Sequence, residues 1–448
     1  MDKISKLNLF LKDLLLIKDL DIIQSESDRK RFSKDFFDYS PILREKLKDC
    51  LADIVVRPLS IESAVLVVRA CKKYCIYLTI RGSGTGNYGQ CVPIKGGVVM
   101  LLGALKKIRD FDPSTGDIVV ESGCLLKDID RYLSTKGRQL RLLPSTWRSA
   151  SIGGFIAGGS GGIGSVRWGF LRDPGHLQGL EVILEKGNKD LIWLDAKSSE
   201  PLNHAYGTNG VITALKLSTR VAIDWEEIIV DCSSFRDAVK LLQKSVRSAI
   251  ELNLATLLEN EIVKYMPAKY ESLDNNHRLL FLVAPEGVST ISRLASEFGG
   301  TFRVLGKEDL NSGKLLREIT WNHTTLHMRS IDKQWTYLQM LLPEPEINMM
   351  ELIKDRWGND LFWHLEGVCQ HGCQRIAALP IVKWRGANEM ESLIAQCKDL
   401  GAVLFNPHVI TVEDGGLGVI DGDQVAAKKE YDCSGILNPG KLKGWEIN

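Results

Sequence analysis

The sequence predicts an α+β fold made of two unlike parts, and three observations carry that expectation. From residue 53 to residue 217, short apolar runs alternate with helical stretches. Two glycine-rich segments, 81–89 and 153–164, interrupt that alternation. From residue 222 onward glycine thins out, and strand–helix–strand units take over.

Taken in order, residues 3–23 place Leu7, Phe10, Leu11, Leu14, Leu15 and Ile22 among lysines and aspartates, which predicts an amphipathic helix. Such a helix has two readings, packing on its parent domain or docking on a membrane surface. Runs rich in Ile and Val at 54–56, 78–80, 98–100 and 118–121 predict strands. Ser60 and Ser63 precede and open the apolar-periodic stretch 61–69, so both are candidate helix caps. A helix is expected from Leu125 to Leu133, ending near Gly137, with closing strands at 180–184 and 213–217. Beyond 222, strands at 227–231 and 279–284 frame helices at 235–249 and 289–298. A second such set lies around Phe362, at 389–400 and at 403–405. Two βαβ-like halves of this kind imply an antiparallel sheet with helices on one face.

The segment Arg81-Gly82-Ser83-Gly84-Thr85-Gly86-Asn87-Tyr88-Gly89 leaves a strand into four glycines. Backbone turning so tightly exposes consecutive N–H groups and cradles phosphate. It contains the GxGxxG pattern at Gly84, Gly86 and Gly89, yet Pro93 and the Gly96-Gly97 pair follow where a dinucleotide-binding turn opens a helix. No Gly-Lys-Ser/Thr closes a P-loop either. The second segment holds seven glycines between Gly153 and Gly164, with Ile152, Phe155, Ile156 and Ile163 among them. Those apolar residues anchor it in a core, where a linker would have none. Glycine at this density suits backbone lying flat against a ligand.

Strand into Arg-Gly-x-Gly-Thr, then Ser151-Ile152-Gly153-Gly154 with Arg167-Trp168-Gly169, then Gly207-Thr208-Asn209-Gly210-Val211-Ile212-Thr213, resembles the FAD domain of the vanillyl-alcohol-oxidase superfamily. The glycolate- and D-lactate-dehydrogenase-like branch is the most similar, and Asn438-Pro439-Gly440-Lys441 resembles its chain ending. The resemblance implies a two-subdomain PCMH-type FAD-binding domain over 48–222 and a ferredoxin-like α+β cap over 223–433. A helical extension would occupy 1–47, and 434–448 would return to the FAD domain. It implies that Gly82, Ser83, Gly84 and Thr85 hold the FAD pyrophosphate through backbone amides. Gly86, Asn87 and Tyr88 would continue toward the flavin ring. Pro144, Ser145, Ser151, Gly153, Gly154, Gly158 and Gly162 would form the other wall, with Ile212 near the ring or the adenine. Asn438 would close the site. Members that bind FAD covalently use a histidine in the first loop or a cysteine in the second. Neither stands in the usual place here, and Cys91 lies too far past the turn, so non-covalent FAD is expected.

At 448 residues the chain is long enough for two domains. Its 44% hydrophobic and 25% charged residues are those of a soluble globular protein. A net charge of +1 gives no electrostatic ground for nucleic acid. No apolar run reaches membrane-spanning length, the start has no signal-peptide arrangement, and ten cysteines without a dense pattern read as reduced thiols. These features predict a cytoplasmic protein.

The resemblance implies hydride removal from the hydroxyl-bearing carbon of a small 2-hydroxy acid or alcohol. Electrons would pass on to a quinone, a carrier protein or oxygen. A sugar or aldonolactone oxidase and a catalytically inert flavin-binding subunit are the competing readings. Such chemistry needs a base for the hydroxyl proton and, for an acid, a cationic clamp. Dehydrogenases of the branch carry His-x-Gly-Asp-Gly-Asn-x-His and, after a Gly-Gly pair, Glu-His-Gly. Here the first position reads Trp363-His364-Leu365-Glu366-Gly367, and the second ends Asn406-Pro407-His408. The carboxylate that would ligate a metal is replaced by Pro407. Segment 321–329 adds His323, His327 and Arg329, with threonines favouring a strand. The candidate bases are His408 and His323, and the candidate clamp is Arg329. Cys369-Gln370-His371-Gly372-Cys373 is a single short cysteine pair without a second knuckle, so no metal is assigned.

Overall fold

The structure, a computed structural model, describes residues 3–184, 190–267, 269–270, 275–313 and 315–446. The first sheet has four strands in the order Leu20–Ile23, Ile54–Pro58, Val98–Leu101, Leu78–Arg81. The last three are parallel, and the first joins antiparallel at the edge. Buried on both faces, these short strands read as unbroken apolar runs. The crossover helix Ile61–Tyr74 starts at a reciprocal cap. Ser60 Oγ accepts the Ser63 N–H at 3.1 Å, and Ser63 Oγ accepts the Ser60 N–H at 3.2 Å.

The amphipathic N-terminal stretch is shorter than its pattern predicts. The helix spans Lys3–Leu15, and Leu20–Ile23 is the edge strand instead of a continuing helix. Phe10 and Leu14 are fully buried against the helix Ile61–Tyr74 and the adjoining strands, with Phe10 edge-on to Tyr74 at 6.0 Å. Burying two such side chains contributes about 3–6 kcal/mol before entropy costs. This packing decides where the helix sits.

The second sheet runs Ile108–Phe111, Asp117–Glu121, Val211–Val221, Leu177–Ile183, Leu191–Asp195, with Arg138–Leu140 also pairing Val211–Val221. The two glycine-rich segments lie beside these first two sheets. Segment 82–89 leaves the strand Leu78–Arg81, and the short helix Ile152–Gly158 is stitched to the end of the strand Asp117–Glu121. The stitches are Gly153 N–H to Ser122 O at 2.8 Å and Ile152 N–H to Cys124 O at 2.9 Å.

The third sheet is antiparallel and eight-stranded. Its order is Thr301–Lys307, Glu226–Cys232, His277–Val283, Leu252–Leu258, His364–Gln370, Cys373–Ala378, Met340–Leu341, Val403–Leu404. The period-2 alternation sorts its side chains cleanly. Ile228, Val230, Leu279 and Phe281 share one core with helices Phe235–Val246, Val288–Glu297, Glu346–Trp357 and Ala387–Asp399. Ile229, Leu280, Leu282 and Leu254 face the other way, into a core shared with Ile152, Phe155 and Leu215. Helices on one face and the layer of the second sheet on the other give the cap its α+β character. The Cys369–Cys373 segment is a two-residue hairpin turn in this sheet. Gln370 pairs with Cys373, while His371 and Gly372 carry the positive φ values of 50° and 79° that such a turn needs. The ten cysteines form no disulfide among the described residues.

Candidate functional site

A cavity of about 630 Å³ opens where both glycine segments meet the cap. Fifteen of the sixteen residues assigned to FAD from sequence line it: Gly82, Ser83, Gly84, Thr85, Gly86, Asn87, Tyr88, Pro144, Ser145, Ser151, Gly153, Gly154, Gly158, Gly162 and Ile212. Asn438 does not. It stands behind the wall, where its Nδ2 donates to Gln90 O at 2.8 Å and Tyr206 O at 2.7 Å, and its backbone N–H to Leu78 O at 2.8 Å. The chain end therefore straps the first loop to the 204–207 loop without reaching the cavity.

The first loop is built to bind an anion. Among the described residues, the amides of Gly84, Thr85, Gly86 and Asn87 have no protein hydrogen-bond partner. Four consecutive free donors form a nest for a charged oxygen cluster. The Ser83 amide is not among them, because Ser151 Oγ accepts it at 3.2 Å. That bond holds the two glycine segments together. A Cβ on Gly82 would stand 2.3 Å from the same Ser151 oxygen and 3.4 Å from Gly154 Cα. Gly84 has φ +71°, and the Arg81 guanidinium curls back beneath it, 2.1 Å from where a Cβ would sit. Behind the loop the Lys441 ammonium donates to Gly89 O. Burial pulls Lys441 down to about 8 and pushes the nearby Asp35 carboxyl up to about 6, each held back by the other's charge.

Other cavity residues carry buried polar atoms without partners: Ser122 Oγ, His204 Nε2, Asn322 Oδ1 and Trp321 Nε1. Dry, unpaired atoms of this kind are costly unless a ligand satisfies them. Free amides, flat glycine walls and unpaired polar atoms together fit a dinucleotide.

His323 lies on the cap-side wall. Its Nδ1 is 2.8 Å from the Glu318 carbonyl, which can only accept, so the proton sits on Nδ1 and Nε2 carries the lone pair. Burial lowers its pKa, against the pull of Glu318, so the ring is neutral at pH 7. The segment is not the strand that its threonines predict. Asn322–Ile331 is a helix, begun by Trp321 at φ 52° and tied by Thr324 Oγ1 to Ile319 O at 2.9 Å. Tertiary bonds override local propensity here.

Two sequence assignments are corrected. Arg329 is outside the cavity lining, with its guanidinium spent on carbonyls: Trp335 O at 2.6 Å, Asp38 O at 2.8 Å and Lys333 O at 3.2 Å. It pins the cap to the N-terminal segment and clamps no substrate. His408 is also outside the lining and 4% exposed. Its Nε2 donates to Tyr337 O at 3.1 Å, and its Nδ1 accepts from Ser40 Oγ at 2.7 Å. Both nitrogens are consumed by structure. Burial depresses its pKa to about 4. The unfolded chain, with an ordinary histidine, binds this proton more readily. Stability is therefore fully present above pH 6.5 and is lost as pH falls toward 4. Replacing His408 by alanine is expected to cost about 1–3 kcal/mol in thermal unfolding. The flavin-normalised rate should not change, and part of the acid sensitivity should disappear.

Sequence reasoning missed several wall residues. His204, with φ 55°, caps the helix Ile152–Gly158: its Nδ1 is 2.7 Å from Gly159 O, and its backbone N–H donates to Ile156 O at 2.9 Å. Gln90 Nε2 donates to Gly158 O at 2.7 Å. Arg148 and Glu318 meet as an ion pair, with Trp147 Nε1 donating to Glu318 at 3.0 Å. Tyr39 and Gln339 also line the cavity. Adjacency to the recognised motifs was the available signal: Trp147-Arg148 follow Pro144-Ser145, and His204 precedes Gly207.

Residues 52–189 match the family model described as FAD binding domain. The chain is 26% identical over 271 residues to the mitochondrial D-2-hydroxyglutarate dehydrogenase of Arabidopsis thaliana, covering 59% of this chain and 46% of that protein. It is 30% identical over 138 residues to the glycolate oxidase subunit GlcD of Bacillus subtilis, covering 31% and 29%. The matches thus span less than half the length of these relatives. Among solved structures, an alkyldihydroxyacetonephosphate synthase superposes with a TM-score of 0.72 at 16% identity, over 98% of this chain and 85% of that one. Physcomitrella patens BBE-like 1 superposes at 0.69 and 12%, over 97% and 98%. The shared architecture, the matched domain and the order of the glycine segments converge: this chain carries an FAD-binding domain over residues 52–189, set in a fold that these solved structures share.

Proposed function

We propose that this protein is an FAD-dependent oxidoreductase that removes a hydride from the hydroxyl-bearing carbon of a small 2-hydroxy acid or alcohol. The observation that carries the reading is a neutral His323, its tautomer fixed by a backbone carbonyl, in the same cavity as the free amides of the first loop. FAD, when bound, supplies a two-electron acceptor. The amides of residues 84–87 would hold its pyrophosphate. His323 Nε2 would take the hydroxyl proton, while Tyr88, Asn87 and Gln339 orient the oxygen and the cap excludes water. FAD would be non-covalent. Cys91 is the sole cysteine among the described lining residues, and burial raises its thiol to about 11 against the lowering pull of Arg81, 3.1 Å away. Little reactive thiolate forms under those conditions. The final electron acceptor would be a quinone, a carrier protein or oxygen.

One observation favours a second reading, oxidation of an uncharged sugar. Arg148 is the single arginine or lysine among the described lining residues. Its three nitrogens already serve Glu318, Leu310 O and Ser312 O. A buried carboxylate needs a cation or several donors to offset its desolvation.

The test is an absorption spectrum before and after acid precipitation, then anaerobic titration with matched pairs. Lactate is set against 1,2-propanediol, glycolate against ethylene glycol, and D-2-hydroxyglutarate against simple sugars. Bleaching by the acids or the diols supports the first reading, and bleaching by the sugars alone supports the second. Bound flavin that no compound bleaches indicates an inert binder. A colourless protein that refuses added FAD sinks both.

A further inference from the structure

We infer that Glu366 is a positioning residue, whose buried carboxylate holds the His323-bearing segment in place against the cavity. This goes beyond the proposed oxidation and rests on it only for the role of His323 as base. Trp321, two residues before His323, has φ 52° and ψ −139°. A bulky side chain in that region costs on the order of 1–3 kcal/mol and persists only where the surroundings enforce it. The enforcing contact is the Trp321 N–H, which donates to Glu366 Oε1 at 2.9 Å.

Glu366 is suited to that task. It lies within the strand His364–Gln370 in the middle of the cap sheet, with Thr256 as its direct partner on the neighbouring strand. Three donors converge on the carboxylate: Trp321 N–H, His364 Nε2 at 2.8 Å on the same oxygen, and Thr256 Oγ1 at 2.5 Å on the other. His364 and Glu366 are both fully buried. Among the described residues His364 Nδ1 has no partner, so the ring's one hydrogen bond there is the donation to Glu366. The pair stays outside the cavity lining, so neither side chain is placed to meet a ligand there.

The segment is pinned from its other side too. Glu318 takes the Trp147 and Arg148 donors from the flavin-side wall, while its carbonyl fixes His323 Nδ1–H. Between these two carboxylates, residues 318–323 have one geometry. Removing Glu366 leaves the Trp321 N–H unpaired and frees the backbone to relax to negative φ, which swings the start of the helix and His323 with it.

The test compares Glu366→Leu, Glu366→Gln and Thr256→Val in the full chain loaded with FAD. Hydrogen exchange in the peptide covering 319–325 and carbethoxylation of His323 by diethylpyrocarbonate report its placement without any substrate. The flavin-normalised reduction rate uses whichever compound bleaches the parent. In E366L, exchange and carbethoxylation should both accelerate, and reduction should slow about 100-fold with KM nearly constant, the scale of a misplacement of about 1 Å. In E366Q the amide oxygen still accepts from Trp321 and His364, so all three readouts should stay within about threefold of the parent, as preserved placement requires. If E366L fails to fold, T256V decides, with a smaller shift in the same direction expected.

Parent-like carbethoxylation and rate in a folded E366L overturn the inference, as do parent-like values in T256V where E366L does not fold. An E366Q protein as impaired as E366L overturns it too, because charge and not placement would then matter. A parent whose flavin no compound bleaches fails the functional reading alone, and the exchange and carbethoxylation arms still judge the tether.

Discussion

Replacing His323 by alanine lowers the rate of anaerobic flavin reduction about a thousandfold, within the usual worth of a positioned base, while the protein keeps its FAD. The two halves of that result have separate causes. His323 Nε2 is the neutral acceptor left in the cavity once Glu318 O has taken the Nδ1 proton. Flavin retention is proposed to rest on the glycine segments, with which His323 shares no hydrogen bond among the described residues. The pH dependence carries a sign. Burial lowers the His323 pKa, so the base stays unprotonated below the ordinary histidine range. The reduction rate should be flat from neutral pH down past 6.5 and fall only at lower pH, as Nε2 is protonated. Stopped-flow reduction across that range checks both points. An acid limb at or above 6.5, or a full rate in H323A, removes His323 from the chemistry.

Replacing Gly153 by alanine has the second large effect, on cofactor retention. A Cβ there would lie 2.5 Å from Ser122 Cβ and 2.9 Å from Ser122 O. Backbone cannot yield as a flexible side chain does, and Ser122 is fixed in turn by its N–H to Thr213 O at 2.9 Å. The helix Ile152–Gly158 must therefore shift into the cavity that it lines. Overpacking of this kind costs about 1–3 kcal/mol. Borne by the bound state, that weakens FAD about 5- to 150-fold. Titrating apoprotein with FAD by fluorescence quenching measures it. G153A that binds FAD as tightly as the parent would show that this wall does not contact the cofactor.

The remaining comparison separates two kinds of residue. Glycines at 82–86 and 153–162 were legible because their rarity of side chain is itself the signal, and backbone laid against a ligand needs that absence wherever the chain folds. The strands at 54–56, 78–80 and 98–100 and the Ser60–Ser63 cap were equally local. They depend on neighbours within a few residues, so sequence spacing contains them. The histidines were not legible in the same way. His323 and His408 look alike in sequence, each a polar residue on a cap element. Only the fold sends one to the cavity and wraps the other between Ser40 and Tyr337, partners 368 and 71 residues away in the chain. Arg329 reads as a clamp until the carbonyl of Asp38, 291 residues distant, claims it.

The sequence by itself determined the α+β class, the glycine segments that line the cavity and the cap's strand–helix alternation. All of these are set by periodicity and by backbone sterics over short spans. Tertiary structure alone decided which histidine faces the cavity, that Trp321 is held at positive φ by Glu366, and that Arg148 is neutralised by Glu318. These are pairings across long loops. A side chain's hydrogen-bonding capacity is fixed by its type, but the partner that uses it is fixed by the packing of distant strands.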